Sequence, residues 1–531
     1  MNKLYLLDCT LRDGGYVNDW KFGAGSIKSI FSRLDASGVD AIEVGFLDDR
    51  RKYDPDRSIY PDTKSVEPVF QNIKKPHAFV TAMIDFGTCS IDNIAPASES
   101  HIDAIRTIFK KHRQDEALAF VKQLKEKGYK IIINPVSVTS FSDEEMISLI
   151  YKINKLEPYA VTIVDTYGLM HASQVLHYCN IMNKYLNKDI ILGYHAHNNF
   201  QLAYANTIAV MDTIKNRDIA IDGTLAGMGK SAGNACTELI AMYMNEVHDK
   251  HYDINQIQEA IDVDIQKEFD KCSWGYRPKF YIAALHNCHP SYVQYLLDER
   301  SLSIKSINEI LERIPETVKL LYDKSIIEKL YLNYQNKEIE DSAVIDELKR
   351  LFTDKKVLLL GPGKTLEESK QDILDYIISQ KALVISVNFL SSELPVDYVF
   401  MGNAKRYSQF FSAIYSANGK VKTICTSNIT EAEQHIDYVV NYPSLLSKEE
   451  CIRDNPLMML LHLLKKIGVK NITMAGFDGY KERNEENYYG AYIPMLYCQE
   501  NVLLRNAAIK EEIKSLSDCM RITSLTKTRY L

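Results

Sequence analysis

Several features that would assign the chain to a special class of protein are missing from its 531 residues. No apolar run approaches the roughly 20 residues needed to cross a bilayer. The start, MNKLYLLDCTLRDGG, has neither the basic flank nor the long apolar core of a secretory signal. The ten cysteines include no Cys-x-x-Cys pair, which is typical of reduced thiols. We therefore expect a cytoplasmic protein with no membrane partner.

An excess of charge of one sign is also missing. The formal net charge is only -7, and the lysines and arginines are dispersed along the chain. Because nucleic-acid binding needs clustered positive charge, we expect no nucleic-acid partner. Hydrophobic residues at 46% and charged residues at 25% are ordinary for a globular protein, and the length predicts two or three domains.

The first part of the chain has a repeated alternation of β-rich runs and amphipathic segments. Eight strands are predicted, at 4–10, 40–46, 77–85, 101–109, 130–138, 159–168, 189–198 and 219–229. Several of the segments between them end in Gly, as helix C-caps often do. Eight such units predict a (β/α)8 TIM barrel over 1–240, since the alternative, a doubly wound open sheet, usually has fewer strands.

The remainder of the chain predicts two further domains, so that the fold class is α/β with an added helical part. Helical patterns such as SINEILERI dominate 241–350 and predict a small helical domain that completes the active site. Strand-like runs return in KKVLLLGPGKTLEE and continue through ALVISVN, DYVFMG, KTICTS, DYVVNY and ITMAGFDG. They predict a Rossmann-like α/β domain over 351–531.

Polar residues gather at the ends of the predicted barrel strands, which is where barrel enzymes place their active sites. His195 and His197 are two apart on a strand, so both imidazoles point to the same face. With one carboxylate they suit a divalent cation: Mn2+ or Mg2+ first, with Zn2+ or Co2+ as alternatives. The competing interpretation is a pair of rim histidines bonded to backbone and water.

Three motifs occur in order along the barrel: Asp8-x-Thr10-Leu11-Arg12-Asp13-Gly14, His195-x-His197, and Gly227-x-Gly229 through Gly233-Asn234. Together they resemble the DRE-TIM metallolyase superfamily. It includes hydroxymethylglutaryl-CoA lyase, 4-hydroxy-2-oxovalerate aldolase and the isopropylmalate-type synthases. The resemblance covers the first 240 residues or so and is closest to the aldolase branch. It implies a metal-dependent lyase that acts on a 4-hydroxy-2-keto acid and releases pyruvate and an aldehyde.

The resemblance also implies roles for individual residues. The implied metal ligands are Asp13, His195, His197 and Asn234, and the implied catalytic residues are Arg12, Glu43 and Asp165, of which the last two would contact metal-bound water or the substrate. From their positions along the chain we add Tyr16 as a catalytic candidate, and Asp8, Tyr167 and His289 as substrate-binding candidates. Physical chemistry supports Arg12 independently, because a fixed guanidinium can stabilise an enolate oxygen where its charge develops. The alternative for Arg12 is a salt bridge that caps the barrel.

One position departs from the pattern of the aldolases. They carry a His three residues after the metal-binding Asp, where this chain has Tyr16. The base that takes the 4-hydroxyl proton could therefore be Tyr16, a metal-bound hydroxide, or His286, His289 or Tyr292 of the helical segment. Two other classes stay open: an acyl-CoA-dependent Claisen-type synthase on the same barrel, and a non-catalytic scaffold.

The C-terminal part contains a turn that could bind an anion. Gly361, Gly363 and Lys364 follow a predicted strand and open a helix, which presents backbone N–H groups. This turn faintly resembles the loop of sialyltransferase-like and flagellin-glycosyltransferase-like nucleotide-binding domains, in which Asn388 would border the pocket. A nucleotide or nucleotide sugar is therefore a possible partner, as is a second copy of the chain. The alternative is a glycine turn needed only for packing.

Overall fold

The computed structural model describes residues 2–70, 73, 75–298, 302–319, 322–417, 419–429, 436–481, 487–490 and 502–531. The chain divides into two compact units, Met1–Asn287 and Cys288–Leu531. Among the described residues, no helix is both long and apolar enough to cross a membrane.

The first unit is a closed parallel barrel. Its strands are β1 (Leu4–Asp8), β2 (Ala41–Leu47), β3 (Ile59–Tyr60), β4 (Phe79–Asp85), β5 (Ala104–Phe109), β6 (Lys130–Pro135), β7 (Ala160–Asp165), β8 (Ile191–Ala196) and β9 (Ile219–Gly223). The order is β1-β9-β8-β7-β6-β5-β4-β2-β3, and the pairing of β1 with β2 closes the ring. All eight predicted strands are present, so the expected (β/α)8 barrel is confirmed. The short β3 is an addition beside β2.

Helices surround the barrel. They are α1 (Thr10–Asp13), α2 (Ala24–Ser37), α3 (Gln114–Glu126), α4 (Asp143–Asn154), α5 (Ala172–Tyr185), α6 (Ala203–Thr213), α7 (Thr237–Val247), α8 (Ile254–Ala260), α9 (Gln266–Lys271) and α10 (Pro278–Leu285). Local sequence sets their ends. Helix α4 begins at a capping box of Ser142 and Glu145, and α2 ends at Gly38 in the left-handed conformation with φ 79°.

The second unit contains an open sheet of seven parallel strands in the order β14-β13-β12-β11-β10-β15-β16. They are β10 (Val357–Leu360), β11 (Leu383–Val387), β12 (Tyr398–Met401), β13 (Lys422–Thr426), β14 (Tyr438–Val440), β15 (Asn471–Ala475) and β16 (Arg521–Ser524). The strand order reverses between β10 and β15. In sheets of this kind, that reversal opens a crevice at the carboxyl ends of the two strands.

The helices of the second unit are α11 (Pro290–Asp298), α12 (Ile304–Leu311), α13 (Lys324–Gln335), α14 (Ser342–Phe352), α15 (Thr365–Glu368), α16 (Lys370–Gln380), α17 (Ala404–Ser416), α18 (Pro456–Lys466) and α19 (Val502–Leu516). Apolar side chains on both faces of the sheet are buried, in two separate clusters. This is the layered arrangement of an open α/β sheet.

The helical segment does not form a domain of its own, which differs from the predicted boundaries at 240 and 350. Ile257, Ala260 and Ile265 belong to the same core as the barrel. Leu348 and Phe352 of α14 belong to the core of the second unit. Residues 241–287 therefore complete the first unit and 288–350 begin the second, because their apolar faces are buried in different cores.

Candidate metal and active site

The metal-binding triad predicted from the motifs comes together at the mouth of the barrel. Helix α1 follows β1 directly and brings Asp13 to the end of β8, where His195 and His197 lie. These three residues are buried, and each presents a ligand atom within 4.8 Å of the others. Nε2 of His195 lies 3.1 Å from Oδ2 of Asp13, and Nε2 of His197 lies 3.8 Å from the same oxygen.

Two members of this triad, His197 and Asp13, have protonation states that suit a cation. Burial lowers the pKa of His197 to about 3, so its imidazole is neutral and has a free lone pair at neutral pH. Burial alone would raise the pKa of Asp13, but the positive charge of Arg12 opposes this and holds that pKa well below its usual range. Asp13 is therefore a carboxylate, as a metal ligand must be.

Cys9 also lies close to His195 and, with Asp222, forms a second group that could hold an ion. Burial raises the pKa of the Cys9 thiol well above its ordinary value, so the thiol keeps its proton. Since the thiolate is the form that binds metals, the group that contains Asp13 is the better candidate.

His195 is held from behind by a residue that sequence analysis missed. Its Nδ1 lies 3.0 Å from Oδ2 of Asp222 on β9. The same carboxylate oxygen accepts a hydrogen bond from Nη2 of Arg106 on β5. A carboxylate behind a histidine is a common support for a metal ligand, because it fixes the tautomer that turns the other nitrogen towards the metal.

Arg12 is held in place by two carboxylates. Its Nε donates to Oε2 of Glu43 at 2.7 Å, and its Nη1 lies 3.0 Å from Oδ1 of Asp13. Oε1 of Glu43 lies 3.4 Å from Nη1 of Arg106. Glu43 therefore contacts two guanidinium groups, whereas the resemblance implied contact with metal-bound water or substrate.

These contacts close into a ring of buried charged groups, which we call the charge ring. Its members, in order of contact, are Asp13, Arg12, Glu43, Arg106, Asp222 and His195. Three carboxylates face two guanidinium groups, so one negative charge is in excess when His195 is neutral. Because buried charge must be compensated, this excess and the neutral imidazole of His197 fit a divalent cation.

The glycine-rich loop after β9 adds Asn234 to the triad. Nδ2 of Asn234 donates to Oδ2 of Asp13 at 2.7 Å. Its Oδ1 is buried and has no hydrogen-bond partner among the residues that the structure describes. Most buried side-chain oxygens are paired, so this atom is available for a further ligand bond. Asn234 therefore lies where the resemblance implied a fourth ligand.

Tyr16 lies at the mouth of the barrel, with its ring 4.7 Å from that of Trp20. Desolvation and the negative charge of Asp13 raise the pKa of Tyr16, although 42% of the residue is exposed. Nζ of Lys230 lies 5.5 Å from the centre of the Tyr16 ring, and burial lowers the pKa of this lysine. Lys230 was not singled out from the sequence.

The carboxylates of Asp8 and Asp165 have hydrogen-bond partners outside the metal-binding triad. Both oxygens of Asp8 accept hydrogen bonds, from the Thr10 backbone at 2.9 Å and from the Thr237 hydroxyl at 2.6 Å. Those of Asp165 accept bonds from two backbone N–H groups that follow β7, at 3.0 and 3.2 Å. Burial raises the pKa of each to about 6. These contacts give both residues a role in holding strand-end loops.

The two remaining predicted substrate-binding residues are Tyr167 and His289. The half-buried Tyr167 follows β7, and desolvation raises the pKa of its hydroxyl, opposed by a hydrogen bond with Ser137. His289 belongs to the second unit, where its Nδ1 accepts a hydrogen bond from the backbone of Ser291 at 3.2 Å.

The glycine turn of the second unit forms packing contacts. The N–H groups of Gly361 and Gly363 donate to the carbonyls of Ala475 and Gly476, each at 2.8 Å. A Cβ at Gly361 would lie 2.7 Å from the Gly476 oxygen. The hydrogen bonds of these glycines therefore favour the packing interpretation over the anion-binding role expected for Gly361, Gly363 and Lys364.

Comparison with known proteins identifies the barrel. Residues 3–263 match the family model described as HMGL-like. The barrel is an HMGL-like domain. This match confirms the resemblance drawn from the motifs.

Curated relatives of the HMGL-like domain have low identity to it. Oxaloacetate decarboxylase of Mycobacterium tuberculosis is 23% identical over 315 residues, which are 58% of this chain and 90% of the relative. The 4-hydroxy-2-oxovalerate aldolase of Pelotomaculum thermopropionicum is 26% identical over 267 residues, 49% of this chain and 76% of the relative. The names confirm the expectation of an enzyme that acts on carbon–carbon bonds.

A solved structure, the HMG-CoA lyase of Bacillus subtilis, has 17% sequence identity and a TM-score of 0.40. The alignment covers 50% of this chain and 94% of that chain.

Proposed function

We propose that the HMGL-like domain is a divalent-metal-dependent aldolase that cleaves a 4-hydroxy-2-keto acid into pyruvate and an aldehyde. The observation that carries this proposal is the triad of Asp13, His195 and His197 with Arg12 fixed beside it. The named aldolase relative supports the reaction class.

A divalent cation held by the triad and Asn234, with Mn2+ or Mg2+ preferred, would supply positive charge to the keto oxygen of the substrate. Arg12 contributes a second positive charge at a fixed place, because Glu43 holds its Nε. Such a preorganised donor acts where negative charge develops, and costs no rearrangement during the reaction.

The proton of the substrate hydroxyl needs a separate acceptor. Since the pKa of Tyr16 is raised, its phenol stays protonated at neutral pH and acts as a hydrogen-bond donor to a substrate oxygen. Lys230 lies against the Tyr16 ring, and its lowered pKa makes the neutral amine more accessible. We assign the role of base to Lys230.

Decarboxylation of a 2-keto diacid is the second candidate, and Tyr16 is the observation that favours it. Loss of carbon dioxide from a carboxylate also leaves negative charge on the keto oxygen, but no hydroxyl proton has to be removed. A protonated phenol at the position where the aldolases have a His would serve that reaction, which needs no base. The decarboxylase relative is named for it.

The test is a product assay on the full chain loaded in turn with each metal. Pyruvate and aldehyde are measured in separate coupled assays, with 4-hydroxy-2-keto acids of increasing chain length and with oxaloacetate as substrates. We expect equal amounts of pyruvate and aldehyde from a hydroxy-keto acid. Pyruvate from oxaloacetate alone would select decarboxylation, and no product from any substrate would reject both reactions.

A further inference from the structure

The second unit contains a cavity that the proposed reaction does not use. It lies at the carboxyl ends of the strands where their order reverses: its lining includes Gly363 after β10, Gly476 after β15 and Asn388 after β11. Its volume is about 680 Å³, including the open mouth. Open parallel sheets bind their ligands at this place.

Arg406 is the residue that indicates the charge of the ligand. It lies in the first turn of α17, lines the cavity and is only 3% exposed. Its guanidinium donates to Oε1 of Gln409 at 2.8 Å and lies 5.5 Å from the centre of the Tyr488 ring. In the part of the chain that the structure describes, no carboxylate is within ion-pair distance of it. A buried charge is normally paired, so an anionic ligand suits this position.

Asn388 supplies a second donor. It is nine-tenths buried and has φ +58°, a conformation that non-glycine residues seldom adopt. Its Oδ1 accepts a hydrogen bond from the Gly402 backbone at 2.9 Å. Its Nδ2 has no partner among the described residues, although the side chain lines the cavity. Strained backbone of this kind is concentrated at binding sites.

The cavity also has an aromatic wall. Phe477, Tyr480, Tyr488 and Tyr530 line it together with Arg406. Aromatic rings bind flat ligands by stacking, and a guanidinium suits phosphate because its donors form a planar fork. We propose that this cavity binds a nucleotide, with its phosphate against Arg406 and Asn388 and its base against the aromatic wall.

Calorimetric titration of the full chain tests the proposal. The probes are the common nucleoside 5′-mono- and diphosphates, the matching nucleosides, and inorganic phosphate, all with excess EDTA so that no metal in the barrel takes part. We expect a nucleotide to bind more tightly than its nucleoside or phosphate alone. No binding of any nucleotide at millimolar concentration, or equal affinity for nucleotide and nucleoside, would overturn the proposal.

The variant Arg406→Met separates a ligand-binding role from a structural one. We expect it to weaken nucleotide binding on the order of 10- to 100-fold, the range for losing charge-assisted hydrogen bonds. Without ligand, its melting temperature should equal or exceed that of the wild type, since a buried unpaired charge has been removed. The control is Arg350→Met, an exposed arginine on α14. Unchanged nucleotide affinity in Arg406→Met would contradict the proposal.

Two further variants complete the test. Asn388→Asp keeps the acceptor for the Gly402 N–H but puts a negative charge in the cavity, so nucleotide affinity should fall. His195→Ala should bind the nucleotide as tightly as the wild type, because it changes only the barrel. If His195→Ala lost as much nucleotide affinity as Arg406→Met, the nucleotide would bind at the metal site. That result would reject the cavity, whatever the outcome of the aldolase assay.

Discussion

Single side chains of the charge ring each have two contacts, and this limits what can replace them. Arg12 bonds Glu43 with Nε and faces Asp13 with Nη1. A lysine at this position has one ammonium group and cannot keep both contacts while it reaches a substrate. The same reasoning applies to Asp222, which contacts His195 and Arg106.

We therefore predict that Arg12→Lys keeps the metal and loses rate. The expected fall in kcat is on the order of 100-fold, as for other single electrostatic stabilisers. Metal content and kcat would be measured on the same preparation. A lysine variant with wild-type kcat would show that Arg12 serves only the ring.

We predict that Asp222→Asn weakens metal binding. The amide oxygen can still accept from Nδ1 of His195, but the charge that orients the imidazole and pairs with Arg106 is lost. We expect metal affinity to fall about 10- to 100-fold, measured by competition with a chelator dye. The matched control is Asp189→Asn, an exposed carboxylate, which should bind metal like the wild type. Equal affinities for all three proteins would contradict a positioning role.

The sequence predicts that Arg12, Asp13, His195 and His197 lie close together, because strand ends, strand alternation and the motifs of the family resemblance are all local patterns; their roles stay a prediction. Arg106 and Asp222 were missed, since their contact joins positions 116 residues apart on different strands. Their one local signal was a charged residue inside an apolar strand, which must be paired if it is buried.

The strands and helices position the side chains of the charge ring, and strand β2 is an example. Its pairing with β4 shifts register between Glu43 and Phe46, and Gly45 within the shift has φ +145°. A Cβ there would press on the Ser58 carbonyl. Only glycine suits this irregularity, which lies beside the carboxylate that holds Arg12.

Gly45→Ala should consequently destabilise the barrel by more than about 1 kcal/mol, because the backbone conformation is incompatible with a side chain. Urea unfolding measures the change. Gly25→Ala is the control: it lies in α2 with open space around it, and should be neutral or stabilising by up to about 1 kcal/mol. Similar effects of both substitutions would argue against strain at Gly45.

Helices α18 and α19 of the second unit are joined by a titrating pair. Nε2 of His462 lies 2.8 Å from Oε1 of Glu512, and this bond raises the pKa of His462. A raised histidine pKa adds stability that is complete below about 6.5, the unfolded value, and is lost as pH rises through the folded value.

We predict that the stability advantage of the wild type over His462→Gln falls by on the order of 1 kcal/mol as pH rises above 6.5. Urea unfolding at a series of pH values would measure it. A difference that stays constant with pH would mean that folding leaves the pKa of His462 unchanged, and would contradict the prediction.

The strength of the local pattern also decided which elements could be predicted. Each barrel strand is a strongly apolar run with clear ends in the sequence, and all eight were predicted. Strand β16, with the sequence RITS, was missed because it is short and half exposed at the edge of its sheet. Such a strand is defined by its pairing with β15 and has little pattern of its own.

The whole molecule is two units with separate cores, and the charge ring lies within the first. Several residues between 241 and 287 belong to that core. In the same segment, the indole of Trp274 donates a hydrogen bond to the Ala226 carbonyl at 2.8 Å, beside the glycine-rich loop. The predicted boundary at 240 was placed where the strand pattern ends. That pattern gives no information about helices that follow the last strand and pack on the barrel.

A fragment of residues 1–287 should therefore fold and bind metal, whereas 1–240 should be insoluble or easily unfolded because it lacks Ile257, Ala260 and Ile265. Circular dichroism, thermal unfolding and metal content of the two fragments check this. A stable, metal-binding 1–240 fragment would contradict the division at 287.

Metal analysis of the purified full chain, by mass spectrometry after gel filtration, tests the central claim most directly. We predict one divalent ion per chain in the wild type, none in His195→Ala, and full retention in His177→Ala, whose exposed imidazole pairs with Asp143. A wild type that holds no divalent ion after loading with Mn2+, Mg2+, Zn2+ or Co2+, or a His195→Ala variant that holds as much as the wild type, would contradict it.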